Sequence, residues 1–366
     1  MRVMTILGTR PEIIRLSRIV PLLDATCEHV LVHTGQNFDP SLSDVFFSDL
    51  DVRQPDVFMG VRGTMAGQIA GILTKAEELF LAHKPDRLLI LGDTNSGLSA
   101  MIAARLRIPV FHMEAGNRCY DDRVPEEINR RVIDHTSNVL MPYTTRSKEN
   151  LVREGIARER IFVTGNPILE VLEHYAPKID ASDALTRLGV ESGKFFLVTL
   201  HRAENVDDPK RLDSLLRGLA LTADEFALPM VVSVHPRTAD VLGRYGLQPG
   251  SDRVRLLPPM GFFDFVKLEK NAFCVMSDSG TVQEECCLFR VANVTLRDVT
   301  ERPETIECGS NILTGSDPQS ILAAVRLATT QPRDWTPPAE YLERRVSTTV
   351  LRIATGYHDA LTHGSR

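Results

Sequence analysis

Three acids set out the chemistry that this sequence can do. Asp93 follows the apolar run Leu88 to Leu91 after a single glycine. Glu114 follows a second apolar run that begins at Ile108. Glu126 stands in Pro125-Glu126-Glu127, which reads as the start of a helix. Each acid thus falls where a parallel sheet hands a strand to a loop or a helix to the sheet. In open α/β sheets that edge is where ligands bind. Three carboxylates in one cleft repel, and repulsion raises the pKa of at least one of them. That is the condition for general acid–base chemistry near neutral pH. For Glu126 and Glu127 the plainer explanation is the helix dipole, which favours acids in a first turn. For Asp93 and Glu114 the plainer explanation is weaker, because each closes an apolar run.

A second group of residues reads as an anion site. Asp278-Ser279-Gly280-Thr281 follows an apolar run and opens a helix. Backbone N–H groups and two hydroxyls there suit phosphate oxygens, although Asp and Ser also serve as ordinary helix caps. Glu285 lies a turn further on, ill-placed for phosphate but well placed to accept from a ribose hydroxyl. His201 and His235 each end an apolar run, a position suited to phosphate binding or acid–base work. Arg302 is a phosphate or nucleobase contact, or the partner of a neighbouring acid. Near the N-terminus, Gly8-Thr9-Arg10 leads into Pro11, which suits the first turn of a helix. Arg10 there could be the cation of an anion site, and Glu12 complements the helix dipole. A cationic phosphate site on one half and acids on the other suit a nucleotide-activated substrate.

These residues need a scaffold, and the hydrophobic pattern supplies one. Short apolar runs alternate with longer amphipathic segments. Strands are expected at Val3–Leu7, His29–His33, Asp86–Leu91, Pro109–Met113, Asn138–Pro142 and Ile161–Val163. Helices are expected at about Pro40–Leu50 and at Met65–His83. The pattern loosens between Gly165 and Asp183, then resumes with strands at Phe195–Leu200, Met230–Val234, Val254–Leu257, Phe273–Met276 and Ala292–Leu296. Alternating strands and helices mean a parallel, doubly wound sheet. The expected fold class is therefore α/β, as two Rossmann-like domains with a central cleft. An N-terminal domain of residues 1–165 would carry the acids, and 166–346 would form the second domain.

Bulk properties narrow the function. The chain has 366 residues, enough for two domains, and a formal net charge of -6, which argues against nucleic-acid or membrane-surface binding. No apolar stretch approaches a membrane span, and the start lacks a signal-peptide pattern. The six cysteines include no CxxC pair and read as reduced thiols of a cytoplasmic protein. His112-Met113-Glu114 has the H-x-E spacing of zinc deaminases, but no P-C-x-x-C follows. There is no HExxH and no GxxxxGK[ST], so zinc-protease and P-loop readings fall, and without GxGxxG after the first strand a dinucleotide fingerprint is not supported.

Taken together, the motifs resemble the non-hydrolysing UDP-N-acetylglucosamine 2-epimerase family. The matching pieces are GTRPEIIRLSRIV at 8–20, GDTNS at 92–96, HMEAGNR at 112–118 and PEEINRRVIDH at 125–135. VTGNPILEVL at 163–172, HRAEN at 201–205, SDSGTVQEE at 277–285 and RDVTERPE at 297–304 continue in family order. The resemblance implies a fold like that of the GT-B glycosyltransferases and inversion at C2 of the sugar. UDP would be eliminated to leave 2-acetamidoglucal, then re-added, with no metal and no nicotinamide cofactor needed. It implies that Asp93, Glu114, Glu126 and His201 are catalytic. It implies that Arg10, Arg15, Phe265, Ser279, Gly280, Thr281, Glu285 and Arg302 contact the nucleotide sugar, with Phe265 near uracil. Arg15 stands where many relatives have Lys, and Thr281 where the commonest pattern has a second Gly. It also implies a C-terminal helix, about Ser347–Leu361 within residues 347–366, that crosses back to the first domain. With apolar faces on Met65–His83 and on the helix after His135, it points to a homodimer.

The segment Thr34-Gly35-Gln36-Asn37-Phe38-Asp39 departs from the family pattern where some bacterial members build an allosteric UDP-N-acetylglucosamine site. Several motifs look closer to relatives acting on modified sugars, either in the UDP-N-acetyl-L-fucosamine pathway or on UDP-diacetamido uronic acids. A GT-B glycosyltransferase is the competing class, and the crowding of acids in the first half speaks against it.

Overall fold

The computed structural model describes residues 1–36 and 46–357. The chain divides into two α/β units. One is Met1–Glu173, rejoined by the chain from Glu340 onward, and the other is His174–Ala339. Among the described residues no helix is long and apolar enough to cross a membrane.

The first unit is built on six strands: β1 (Arg2–Leu7), β2 (Glu28–His33), β3 (Val57–Phe58), β4 (Arg87–Leu91), β5 (Val110–Met113) and β6 (Val139–Met141). Their order is β3-β2-β1-β4-β5-β6, and every pair is parallel. The second unit has β7 (Phe196–Leu200), β8 (Met230–Val234), β9 (Val254–Leu257), β10 (Cys274–Ser277), β11 (Asn293–Thr295) and β12 (Asn311–Leu313). Their order is β12-β11-β10-β7-β8-β9, again all parallel. Counted from β7, this is the winding of the first sheet repeated. The fold is thus two Rossmann-like α/β domains, as the alternating pattern predicts.

Helices cover both faces of each sheet, so central strands read as unbroken apolar runs. All five residues of β4 are buried, as are all four of β5. Register aligns the ends of these two strands: Leu91 lies opposite Met113. The residues just past them, Gly92-Asp93 and Glu114, therefore leave the sheet side by side. In each sheet the winding reverses between two central strands, β1 and β4 in the first and β7 and β10 in the second. Loops diverge there and leave a crevice at the carboxyl ends.

Several expectations need correction. Ile161–Val163 is not a strand: Ile161 makes one isolated bridge to Leu140, directly after a short turn of helix at Arg158–Arg160. The sixth strand is instead β3, two residues at the opposite edge. β12 is a further strand outside the expected set; three residues show no period to read. The helix expected over 40–50 falls partly outside the described residues, with 46–49 helical. Residues 37–39 of the departing segment also lie outside them.

The C-terminal helix runs Val346–Gly356, shorter than expected, because Tyr357 takes an extended backbone. Arg87, buried on β4, explains the stop. Its guanidinium donates to the carbonyls of Ala354 and Tyr357 at 2.7 Å each and lies 4.9 Å from the Phe111 ring. A buried cation on the last carbonyls satisfies groups that a helix end leaves open and complements its dipole. Ser347 at the other end donates to Glu170. Arg87→Met should cost about 2–4 kcal/mol of stability to urea. Limited proteolysis should then release the C-terminal helix first.

Candidate active site

At the carboxyl ends of β4 and β5, Asp93 and Glu114 each meet a cation. Asp93 accepts from Arg130 through Nε at 2.8 Å and Nη2 at 2.7 Å. Arg130 belongs to the helix Pro125–Thr136, which also carries Glu126, half-buried in its first turn. Asn129 of the same helix donates to the Asp93 carbonyl at 3.0 Å. Glu114 accepts from Arg15 at 3.0 Å on one carboxylate oxygen and from Asn117 at 3.2 Å on the other. Its backbone is left-handed at φ 64°, a conformation that costs a residue with a Cβ roughly 1–2 kcal/mol. A Cβ on Gly92 would lie 3.5 Å from the Glu114 carboxylate, so the two loops touch. Arg15 is itself buried, with its guanidinium 5.3 Å from the Tyr143 ring.

Charged groups that the sequence did not single out hold this arrangement. Asp134 accepts from His112 Nδ1 at 2.8 Å, from Arg118 at 2.8 Å and from the Gly116 N–H at 3.1 Å. His112 Nε2 meets the Gly92 carbonyl at 2.9 Å, so both ring nitrogens face acceptors. Burial works to raise the pKa of Asp134, but His112 and Arg118 outweigh it and hold the group below the ordinary carboxylate value. Glu127 is not a mere helix cap. It accepts from the N–H groups of Cys119 and Tyr120 at 3.0 Å each and from Arg130 at 2.8 Å. It thereby clamps the loop between Asn117 and Pro125. Burial opposes its charge too, yet these donors hold its pKa down.

The β1 loop is tied in by Glu12, whose role exceeds the dipole. One oxygen accepts from the Gly8 N–H at 3.0 Å and from the Thr9 N–H and hydroxyl at 2.7 Å; the other accepts from Thr94 at 3.1 Å. The loop bearing Arg10 is thereby bound to the residue after Asp93. Gly8 must be glycine, since a Cβ would lie 2.2 Å from the Thr34 hydroxyl and 2.3 Å from that of Ser96. Arg10 lies with its guanidinium 5.4 Å from the Phe46 ring.

In the second unit, polar groups gather at the ends of β7 and β10 and in their loops. Buried Asp278 accepts from the N–H groups of His201 and Arg202 at 3.0 Å each and from Asn205 at 3.1 Å. It also meets His201 Nδ1 at 3.2 Å, on a ring 37% exposed. The helix Gly280–Phe289 follows. Its cap, Ser279, spends its N–H on the Ser277 hydroxyl, and its own hydroxyl pairs with Thr281 at 2.8 Å. Arg302 is buried with its guanidinium 3.7 Å from where a Gly280 Cβ would be, and Nε donates to buried Glu284. A cation thus lies against the first turn of a helix, the geometry of an anion site. Glu285 is buried nearby on the same helix, and Phe265 is half-buried on the helix Phe262–Asn271. His235 is a helix cap, accepting from the Arg237 N–H at 3.3 Å. An apolar cavity of about 530 Å³ opens between Pro236–Gly243 and Leu256–Pro259. Among the described residues no group of three or more His, Cys, Asp and Glu side chains is arranged to hold a metal ion.

Burial pushes the pKa of Glu12 from the ordinary 4.5 up to about 7, against the pull of its hydrogen bonds. Its stabilising contribution is complete below the lower value and lost as pH rises through the higher, about 3 kcal/mol in all. Urea unfolding at about pH 5 and about pH 8 should show that loss in the wild type and not in Glu12→Gln.

Comparison with known proteins agrees with this geometry. Residues 23–354 match the family model described as UDP-N-acetylglucosamine 2-epimerase. The chain is 39% identical to the UDP-N-acetylglucosamine 2-epimerase of Methanocaldococcus jannaschii, over 92% of this chain and 95% of that one. The crystal structure of the M. jannaschii enzyme with UDP-GlcNAc and UDP superposes with a TM-score of 0.92, covering 97% of this chain and 99% of that one. The Rickettsia bellii UDP-N-acetylglucosamine 2-epimerase gives 0.91 at 40% identity, covering 98% and 96%. Pseudomonas aeruginosa UDP-2,3-diacetamido-2,3-dideoxy-D-glucuronate 2-epimerase is 37% identical, over 89% and 92%. By model and by relatives alike, the chain belongs to the UDP-N-acetylglucosamine 2-epimerase family.

Proposed function

We propose that the chain interconverts UDP-N-acetylglucosamine and UDP-N-acetylmannosamine. The observation that carries this is the pairing of acids with fixed cations at the β4 and β5 ends of the first unit; within the second unit, Arg302 borders the helix start at Gly280. A carboxylate takes the C2 proton, the C1–O bond breaks, UDP leaves with the electron pair, and a C1=C2 bond forms. Reversal delivers a proton to the other face of C2 as UDP oxygen attacks C1. The C2 proton is weakly acidic, so a positioned base is needed. Asp93 or Glu126 fills that role, and Glu114, fixed by Arg15 and Asn117, orients the sugar.

The nucleotide end is assigned to the second unit. The Gly280 and Thr281 N–H groups, Arg302 and His201 Nε2 meet the charge that develops on departing UDP. In the first unit, Arg10 is assigned to the nucleotide sugar. Phe265 packs against uracil, and Glu285 accepts from ribose. Ser279 contributes its hydroxyl, since Ser277 already takes its N–H. No cofactor takes part in these steps. We place the enzyme in the cytoplasm, as its free thiols suggest.

A second reading keeps the reaction and changes the sugar to a diacetamido uronic acid. Identity to the P. aeruginosa relative, nearly equal to that with M. jannaschii, favours it. The loop between Asn117 and Pro125, clamped by Glu127, is where the sugar's far side would be read.

Incubation in D2O followed by NMR tests the reaction. Deuterium should enter C2 of UDP-N-acetylglucosamine, and transfer to an acceptor without exchange would indicate a glycosyltransferase. Asp93→Asn and Glu126→Gln should each lower turnover by about 10²–10⁴-fold and leave UDP binding intact. Failure of exchange with every UDP-2-acetamido sugar would sink the proposal.

We also assign a homodimer. Met65 (69% exposed) and Leu81 (59%) stand out on the helix Met65–His83, and exposed apolar side chains on one helix suit a partner surface. Light scattering should give twice the chain mass, and Leu81→Glu should shift it to the monomer.

A further inference from the structure

Glu269 is a buried acid that the proposed reaction does not use. It lies on the helix Phe262–Asn271, one turn beyond Phe265 and on the same face. It is fully buried. One carboxyl oxygen receives only the weak S–H of Cys286, at 3.4 Å, and the other finds no donor. Across from it, within hydrogen-bonding reach, is the carboxyl group of Glu285.

Two carboxyl groups in contact inside a protein cannot both be charged. One must carry a proton, and it belongs on the group whose charge is less well served. Glu269 is fully enclosed with a thiol as its one donor, whereas Glu285 is 5% exposed at the edge of the site. Burial and the neighbouring Glu285 charge both push the pKa of Glu269 well above the ordinary range. The other titratable groups that face this spot are thiols. Cys286 comes from the helix Gly280–Phe289, and Cys274 of β10 lies behind it with its own pKa pushed up to about 12 by burial. Charges elsewhere on the Glu269 helix are engaged away from it. Asp264 pairs with Ser182 and Arg187, and Lys267 and Lys270 bond to Asp180. Glu284, next to Glu285, is taken by Arg302.

We propose that Glu269 is a positioning residue of the nucleotide site: its carboxyl O–H donates to Glu285 and fixes that carboxylate for the two hydroxyls of a ribose. The proposal rests on the reading that Glu285 meets the nucleotide. A protonated carboxyl is a strong donor to a carboxylate. That bond fixes the orientation of the Glu285 carboxylate. Loss of that proton at alkaline pH would put two like charges in contact and loosen the holder of the ribose.

Calorimetric titration with UDP, alongside steady-state kinetics, tests this on Glu269→Leu, Glu269→Gln and Glu285→Gln. Glu269→Leu removes the donor and should weaken UDP binding roughly tenfold. The loss should fall on KM, with little on kcat, and the thermal midpoint should hold or rise. Glu269→Gln restores a donor through its amide and should bind UDP close to wild type. As pH is raised into the alkaline range, wild-type affinity should fall and that of Glu269→Gln should not. Normal UDP affinity in folded Glu269→Leu would overturn the proposal, while weakened binding by Glu285→Gln kept the nucleotide reading in place. An unchanged affinity in Glu285→Gln would overturn the reading and the proposal together. If Glu269→Leu does not fold, the two pH profiles decide: parallel profiles for wild type and Glu269→Gln reject the role.

Discussion

A carboxylate at the end of a buried parallel strand can stay charged only if a cation or several hydrogen-bond donors are brought to it. Desolvating a lone charge costs several kcal/mol, and neutralisation is the usual escape. In the first unit the chain brings those cations from elsewhere. Arg15 reaches Glu114 across 99 residues of sequence, and Arg130 reaches Asp93 across 37. Asp134 gathers His112 and Arg118 beneath them. The helices therefore do more than cover the sheet. Arg15 ends the first helix and Arg130 lies in the helix of Glu126, so a shift of either would strand an acid without its partner.

The second unit meets the same problem with the same winding. Asp278 leaves β10 and is buried, and its partners are the backbone and Asn205 of the loop after β7. That loop and the helix Gly280–Phe289 thus flank the point where the strand order reverses, as the β1 and β4 loops do in the first unit. Arg302 supplies the positive charge, itself balanced by Glu284 from the helix it borders. One topology thereby produces two kinds of site. What differs is what the loops carry: acids paired with arginines at Asp93 and Glu114 in the first unit, and Arg302 paired with Glu284 in the second.

Much of this was legible in the sequence. Central strands announce themselves as apolar runs, because both faces are covered. Asp93, Glu114, His201 and Asp278 are visible as the polar residues that end those runs. What was not legible lies at the sheet edges and in the partners. Val57–Phe58 and Asn311–Leu313 are too short to show a period, and Ile161–Val163 looked like a strand but pairs at one residue. Arg130, Asp134 and Glu127 are ordinary helix residues in sequence, and only the packing of the helix Pro125–Thr136 shows what they hold. A charged residue on the apolar stripe of an amphipathic helix was the available signal: Arg130 and Asp134 fall four apart, as a shared face requires.

The partners also change how the acids should be understood. Three acids near one another in sequence motifs suggested mutual repulsion as the source of reactivity. In the structure Asp93 and Glu114 each have a guanidinium, and the neighbouring acid that burial lifts to about 7 is Glu12, which binds two loops together. A carboxylate paired with a guanidinium is held in place. Glu114 shows this directly, since its backbone is left-handed and both its oxygens are bonded. Such a residue is restrained on every bond that could turn it. For a proton on carbon, whose removal depends on where the base sits as much as on its pKa, that restraint is the more useful property. The fold accordingly commits buried charge to orientation and leaves the drive for the reaction to the departure of the nucleotide.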